Sequence, residues 1–201
     1  MRVIAGSARR LLLEAPAGFN TRPTSDKVKE TLFNILMPYI YSDTRFLDLY
    51  SGIGAFGIEA LSRGVESAVF VERSRDAINC INKNLNTTHF TDKAQVINSD
   101  VLTALNRLEG RKSFDMIFMD PPYDCGYERA VLEYLSNSAV ADKDALIIVE
   151  ASNDTDFDWI DTIGYRVIKY KRYKNNCHLS LKRESDFKEA DNEECDIPGQ
   201  L

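Results

Sequence analysis

The chain of 201 residues carries 31 acidic and 25 basic side chains, with 44% hydrophobic and 28% charged content. These proportions fit one globular domain with a full core plus an appendage, and exclude a collagen-like or low-complexity chain. No apolar run reaches bilayer-spanning length and no signal-peptide pattern opens the chain. Cys80, Cys125, Cys177 and Cys195 are scattered without a Cys-x-x-Cys pair, and only His89 and His178 accompany them. No membrane segment and no metal site are therefore expected, and a reducing cytoplasm is.

Met1–Ile4 and Leu11–Glu14 read as a short hairpin around Ala5-Gly6-Ser7-Ala8, broken by Ala15-Pro16-Ala17-Gly18. Through Lys29 the bases Arg2, Arg9, Arg10, Arg22, Lys27 and Lys29 outnumber the acids Glu14 and Asp26. That bias suits either a phosphate-contacting arm or a solvated hairpin. Thr24, Ser25 or Asp26 can cap a helix whose apolar stripe is Val28, Leu32, Ile35 and Leu36, with Phe33 beside it and Pro38 near its end.

A buried strand follows at Phe46–Tyr50, then the glycine loop Ser51–Gly57 and a helix to about Arg63, closed by Gly64. Ala68–Glu72 is a second strand. A helix over Ser74–Asn86 presents Ala77, Ile78, Ile81 and Leu85. Ala94–Ile97 is a third strand, Val101–Leu108 a helix, and Met116–Met119 the core of a fourth strand ending at Asp120. Glu128–Leu135 is helical and Ala145–Val149 is a fifth strand. Tyr165–Tyr173 and Cys177–Lys182, joined by Lys174-Asn175-Asn176, form a hairpin. Alternating strands and helices predict a mostly parallel, doubly wound α/β sheet that ends in this antiparallel pair. The last stretch, Glu184–Leu201, holds seven acids against the single base Lys188, so the net charge of −6 belongs to a tail expected to lack a fold. The body is neutral overall, and such a body can still bear a basic face.

The chemistry gathers where strands end. Pro121 and Pro122 stop the fourth strand and hold Asp120 extended. The Asp120 carboxylate, the Pro121 carbonyl and the Tyr123 ring then offer two acceptors and a stacking face to a planar amine, such as the exocyclic NH2 of a base. Gly52, Gly54 and Gly57 form G-x-G-x-x-G between a strand and a helix, and Glu72 closes the next strand about 20 residues on. These residues alone suit a dinucleotide as well as S-adenosylmethionine. Two features tilt towards the latter. Asp48 on the entering strand repels a pyrophosphate but suits an ammonium and a sulfonium, and the glycine strand lies well inside the chain. Glu72 reads as a ribose ligand or a solvated strand end. Asp100 reads as an adenine acceptor, with the Val101 N–H donating to the ring, or as a helix cap.

Asp48-x-x-x-Gly52-x-Gly54, Glu72, Asp100 and Asp120-Pro-Pro-Tyr123 resemble the class I methyltransferases. Arg2-Val-Ile-Ala-Gly6, Thr21–Leu36, Leu47–Gly64 and Asp120–Tyr123 resemble more closely the RsmD family of 16S ribosomal RNA guanine-N2 methyltransferases, over about residues 1–183. The final hairpin lacks the glycine-containing turn expected there, and the acidic tail looks extra. The resemblance implies a Rossmann-like domain of seven strands at 44–183, a hairpin-helix extension at 1–43 and the tail at 184–201. It implies S-adenosylmethionine held by Asp48, Ser51, Gly52, Gly54, Glu72, Arg73, Asp100, Val101 and Asp120, with Asp120, Pro121 and Tyr123 catalytic and no metal. The expected partner of a monomeric enzyme is 16S rRNA in the small subunit, contacted by Arg2, Arg9, Arg10, Arg22, Thr24, Lys27, Lys171 and Arg172. Lys169 and Lys171 share a face of their strand, so that basic patch is one-sided; its alternative role is edge protection. The rival readings are methylation of a DNA adenine or cytosine or of a protein glutamine, a nicotinamide-dependent oxidoreductase, and a non-catalytic RNA-binding assembly factor.

Overall fold

The computed structural model describes residues 1–16, 26–123 and 125–184. Its centre is one seven-stranded sheet. The strands are β1 (Arg45–Leu49), β2 (Ser67–Glu72), β3 (Ala94–Asn98), β4 (Phe114–Met119), β5 (Ala141–Ser152), β6 (Tyr165–Arg172) and β7 (Asn176–Arg183). Their order is β3-β2-β1-β4-β5-β7-β6, with β7 antiparallel to both neighbours and every other pair parallel. The order reverses between β1 and β4, the switch point where open α/β sheets form a crevice.

The helices are α1 (Asp26–Leu36), α2 (Ala55–Ser62), α3 (Arg75–Thr88), α4 (Val101–Leu108) and α5 (Tyr127–Ser136). Strand alternation sorts the core into two layers. Leu47, Leu49, Val71, Ile117, Met119 and Val149 face α4 and α5. Phe46, Phe70, Phe118 and Ile148 face α2, α3 and the N-terminal segment. The sequence boundaries hold closely, with α4 as expected and β5 longer. The added residues Asp142, Lys143 and Asp144 are polar and not buried, and the pairing of β5 with β4 shifts beside them.

The N-terminal segment is a minimal hairpin, bridged at Arg2 and Leu12. It packs into the same core as the sheet through Val3, Ala8 and Leu13. Gly6 has φ +81, and a Cβ there would sit 1.7 Å from the Ser62 carbonyl oxygen, so glycine is obligatory where the hairpin meets the end of α2. Ser7 N–H donates to that carbonyl at 2.8 Å.

One expectation needs correction. The buried stripe of α1 is Lys29, Leu32, Phe33 and Leu36, while Val28 and Ile35 are only partly buried. Lys29 is therefore not part of a solvent-facing basic arm. Its Nζ lies 3.3 Å from Glu59 Oε2 and donates to the Arg2 carbonyl at 2.7 Å. Glu59 also accepts from Arg63 Nε (2.9 Å) and from the N–H groups of Ile4 (2.8 Å) and Ala5 (3.0 Å). A buried cation is tolerated here because a carboxylate answers it.

Candidate active site

The loop after β1 is shaped by left-handed backbone. Tyr50, Gly52 and Gly54 have φ of +58, +54 and +79. Ser51 is buried and pins the turn, its Oγ donating to the Asp48 carbonyl at 2.6 Å while its N–H donates to Val71 O. Asp48 is buried, and its Oδ2 accepts the Gly57 N–H at 2.9 Å. A Cβ on Gly57 would lie 2.3 Å from Phe70 Cε1, so the third glycine of the motif lets α2 close on β2 and reach Asp48. Burial pushes the Asp48 carboxyl up to about 7; the Gly57 N–H opposes this and the charge of Glu72 adds to it.

Glu72 reaches across from β2. Its Oε2 accepts the Gly52 N–H at 2.9 Å and its Oε1 accepts from the Arg73 and Ser74 N–H groups, both at 2.8 Å. It thus ties the glycine loop to the next strand end. The Arg73 side chain is exposed. Asp100 caps α4, its Oδ1 accepting the Thr103 N–H at 2.9 Å, and that bond holds its carboxyl below the usual range. Val101, the first residue of α4, is buried.

The acceptor turn stands beside this loop, on the other side of the switch point. Leu49 pairs with Met119 and Met119 with Val149. Continuing those registers sets Asp120 between Tyr50 and Glu150. Alternation gives Asp48, Glu72, Asp120 and Glu150 a common face, the one covered by α2 and α3. Burial raises Asp120 well above the carboxylate range, and Glu150, Asp48 and Glu128 raise it further. Each charged group acting on Asp120 is itself an acid. An acid cluster of this kind, beside a loop of backbone N–H groups, fits a cationic ligand and opposes a pyrophosphate. Pro121 is buried and Tyr123 is 39% exposed, with its hydroxyl raised by burial and by Glu150 and Asp120. Tyr50 packs against the α4 and α5 side of the core, its ring tilted against that of Tyr127 with centroids 6.0 Å apart.

Glu150, Asn176 and His178 were not anticipated. His178 Nε2 lies 2.9 Å from Glu150 Oε2, and Asn176 Nδ2 donates to Glu150 Oε1. Glu150 and His178 are both buried. The available signal was a glutamate continuing the apolar run Ala145–Val149.

A family model described as Conserved hypothetical protein 95 matches residues 1–181. YlbH of Bacillus subtilis is 41% identical over 172 residues, covering 85% of this chain and 92% of the relative. Ribosomal RNA small subunit methyltransferase D of Haemophilus influenzae is 35% identical over 184 residues, covering 87% and 94%. The solved structure of yhhF from Escherichia coli superposes with a TM-score of 0.80 at 32% identity, covering 92% of this chain and 98% of that one. This chain belongs to the RsmD family. Its fold is that of the Rossmann-like class I methyltransferases.

The basic side chains of this RsmD-family chain fall on different surfaces. Arg9, Arg10 and Lys27 are exposed, and Arg2 pairs with Asp26 at 2.7 Å. Arg22 and Thr24 lie outside the described residues. On the β6 edge the register shifts between Val167 and Lys169. Lys169 and Lys171 then pair with Ser180 and His178 and share a face as expected, and because His178 pairs with Glu150 that face is the one of Glu150. Arg172 pairs with Cys177 and faces the α4 and α5 side, so Lys171 and Arg172 do not form one patch. Among the described residues no helix is long and apolar enough to cross a membrane.

Proposed function

We propose that this chain transfers a methyl group from S-adenosylmethionine to the exocyclic N2 of a guanine in 16S rRNA of the small ribosomal subunit. The observation that carries the reading is the juxtaposition of Asp120 with Asp48 and the Glu72-bound glycine loop across one strand boundary. Membership of the RsmD family supports the substrate class.

S-adenosylmethionine supplies an electrophilic methyl group on a sulfonium. Asp48, Ser51, Gly52, Gly54, Glu72, Arg73, Asp100 and Val101 form its site, with Asp48 and Asp120 answering its positive charge. Asp120 and the Pro121 carbonyl accept hydrogen bonds from the two N2–H groups of a guanine that has left its stack, one of whose protons is lost as the nitrogen becomes methylated, and Tyr123 stacks on that base. Fixing both N–H bonds orients a weakly nucleophilic amine, which is catalysis by positioning. Asp120 also stabilises the positive charge that develops on nitrogen. Exposed bases of the 1–43 extension and of the β6 edge meet phosphates; 44–183 is the catalytic unit and 184–201 an acidic tail. The protein works as a cytoplasmic monomer without metal.

The test is labelled-methyl transfer to small subunits lacking the modification, followed by mapping of the modified base. Label on N2 of one guanine is expected. Binding to the subunit without incorporation favours an assembly factor, and label in DNA or protein moves the substrate class.

A further inference from the structure

β6 is the outer strand of the sheet, and its pairing with β7 is bulged. Strict alternation along it would set Arg166 on one face and Lys169 and Lys171 on the other. Instead Arg166 pairs with Lys182 and Val167 with Leu181, and after the register shift Lys169 pairs with Ser180 and Lys171 with His178. Two residues of β6 thus oppose one of β7, and the parity of the strand changes. Leu181 belongs to the core layer on the α4 and α5 side, so Lys182, Ser180 and His178 point to the opposite face. Arg166, Lys169, Lys171 and Lys182 therefore share that face. The first three are exposed. The Lys182 Nζ lies 5.9 Å from the centroid of the Tyr39 ring, itself exposed in the turn after α1. No acid occurs between Arg166 and Lys174.

The row has a direction. β5 and β6 are both antiparallel to β7, so Lys171 lies at the crevice end of the sheet and Arg166 at the far end. The four bases extend over roughly 15 Å, at about 3.3 Å per residue. Lys171 pairs with His178 and His178 with Glu150, and β4 is the next strand beyond β5. Three strand spacings, roughly 14 Å, therefore separate Lys171 from the line of β4, whose end carries the acceptor turn. That reach suits nucleotides flanking the target rather than the target itself. Edge protection accounts for lysines on β6, but not for Lys182 on the interior strand β7, nor for a bulge that gathers the cations on one side.

Resting on the methyl-transfer reading, we infer that Arg166, Lys169, Lys171 and Lys182 form a phosphate track for the RNA strand that flanks the target guanine. Such contacts fix the register of the strand without reading its sequence, so they act on binding and leave the chemical step alone.

The test measures the affinity of the full chain for small subunits lacking the modification across a series of salt concentrations. Wild type is compared with the single variant Lys169→Gln and the triple variant Lys169→Gln, Lys171→Gln, Lys182→Gln. Lys143→Gln, at an exposed base of β5 outside the track, is the control. The slope of log affinity against log salt is expected to fall by about one in the single variant and by about two to three in the triple, with binding on the order of 10- to 100-fold weaker in the triple at low salt. KM for the subunit should rise in step, while kcat at saturation, S-adenosylmethionine Kd, melting temperature and the control stay at wild-type values. A triple variant that keeps the wild-type slope overturns the inference, and one that does so while aggregating assigns the lysines to edge protection. An equal fall of slope in the control overturns it too, because any surface base would then serve. A wild-type chain that binds subunits but transfers no methyl sinks the functional reading, whereas an active wild type whose triple variant keeps the slope sinks only the track.

Discussion

Two groups of buried charge, on either side of α2, teach opposite lessons. At its C-terminal end Glu59 is surrounded by donors: Lys29, Arg63 and the N–H groups of Ile4 and Ala5. At its N-terminal end Asp48 has one N–H, from Gly57, and acids as its charged neighbours. The first group is a joint that bolts the N-terminal hairpin and α1 to the sheet. The second is held away from the ionisation state that water would give it. A fold accepts a buried carboxylate when donors satisfy it; one left among other acids is poised for a cation that comes from outside.

The largest effect should come from the acid cluster. Asp120→Ala is expected to lower methyl transfer on the order of 10²–10³-fold while leaving donor Kd within a few-fold. Undiminished turnover would refute its role. The joint should answer differently. Lys29→Met breaks a buried pair and should destabilise the protein by about 3 kcal/mol in denaturant titrations, with kcat of the folded fraction unchanged. A lowered kcat at full folding would erase the contrast between the two groups.

Asp48→Asn sharpens it further. A carboxyl raised from 3.8 to about 7 binds more protons folded than unfolded between those values. Wild-type stability contributed by Asp48 therefore falls as pH rises from about 4 to about 7 and stays low above that. The variant should consequently melt higher than wild type at pH 8, by roughly 5 °C, and bind S-adenosylmethionine more weakly. A variant melting no higher than wild type at pH 8 would mean that Asp48 is satisfied in the fold. The smallest effect is a fraction of a proton. Binding of the cationic donor near pH 6.5 should release protons from Asp48, seen by calorimetry in buffers of different ionisation enthalpy. Equal heats in all buffers at pH 6.5 would mean that the Asp48 carboxyl is already ionised in the free chain.

Features whose physics is local were legible in the chain. The glycine loop, the Asp120-Pro-Pro-Tyr123 turn, the Asp100 cap and the Val101–Leu108 helix depend on neighbours a few residues away. Strand alternation then yielded the sheet and its final hairpin. Features that depend on partners distant in sequence were not legible. A 3.6-residue period allows either Val28 or Lys29 to lead the buried stripe of α1, and Glu59 on another helix decides between them. Whether Lys171 and Arg172 form one patch depends on pairing with Ser180, His178 and Cys177, and that pairing divides them. The Glu150–Asn176–His178 group exists because β7 enters the sheet antiparallel beside β5, a pairing across 26 and 28 residues for which no periodicity in either strand codes. Local propensity acts within a turn or a strand, while charge pairing and register are set only when the sheet closes and brings those strands side by side.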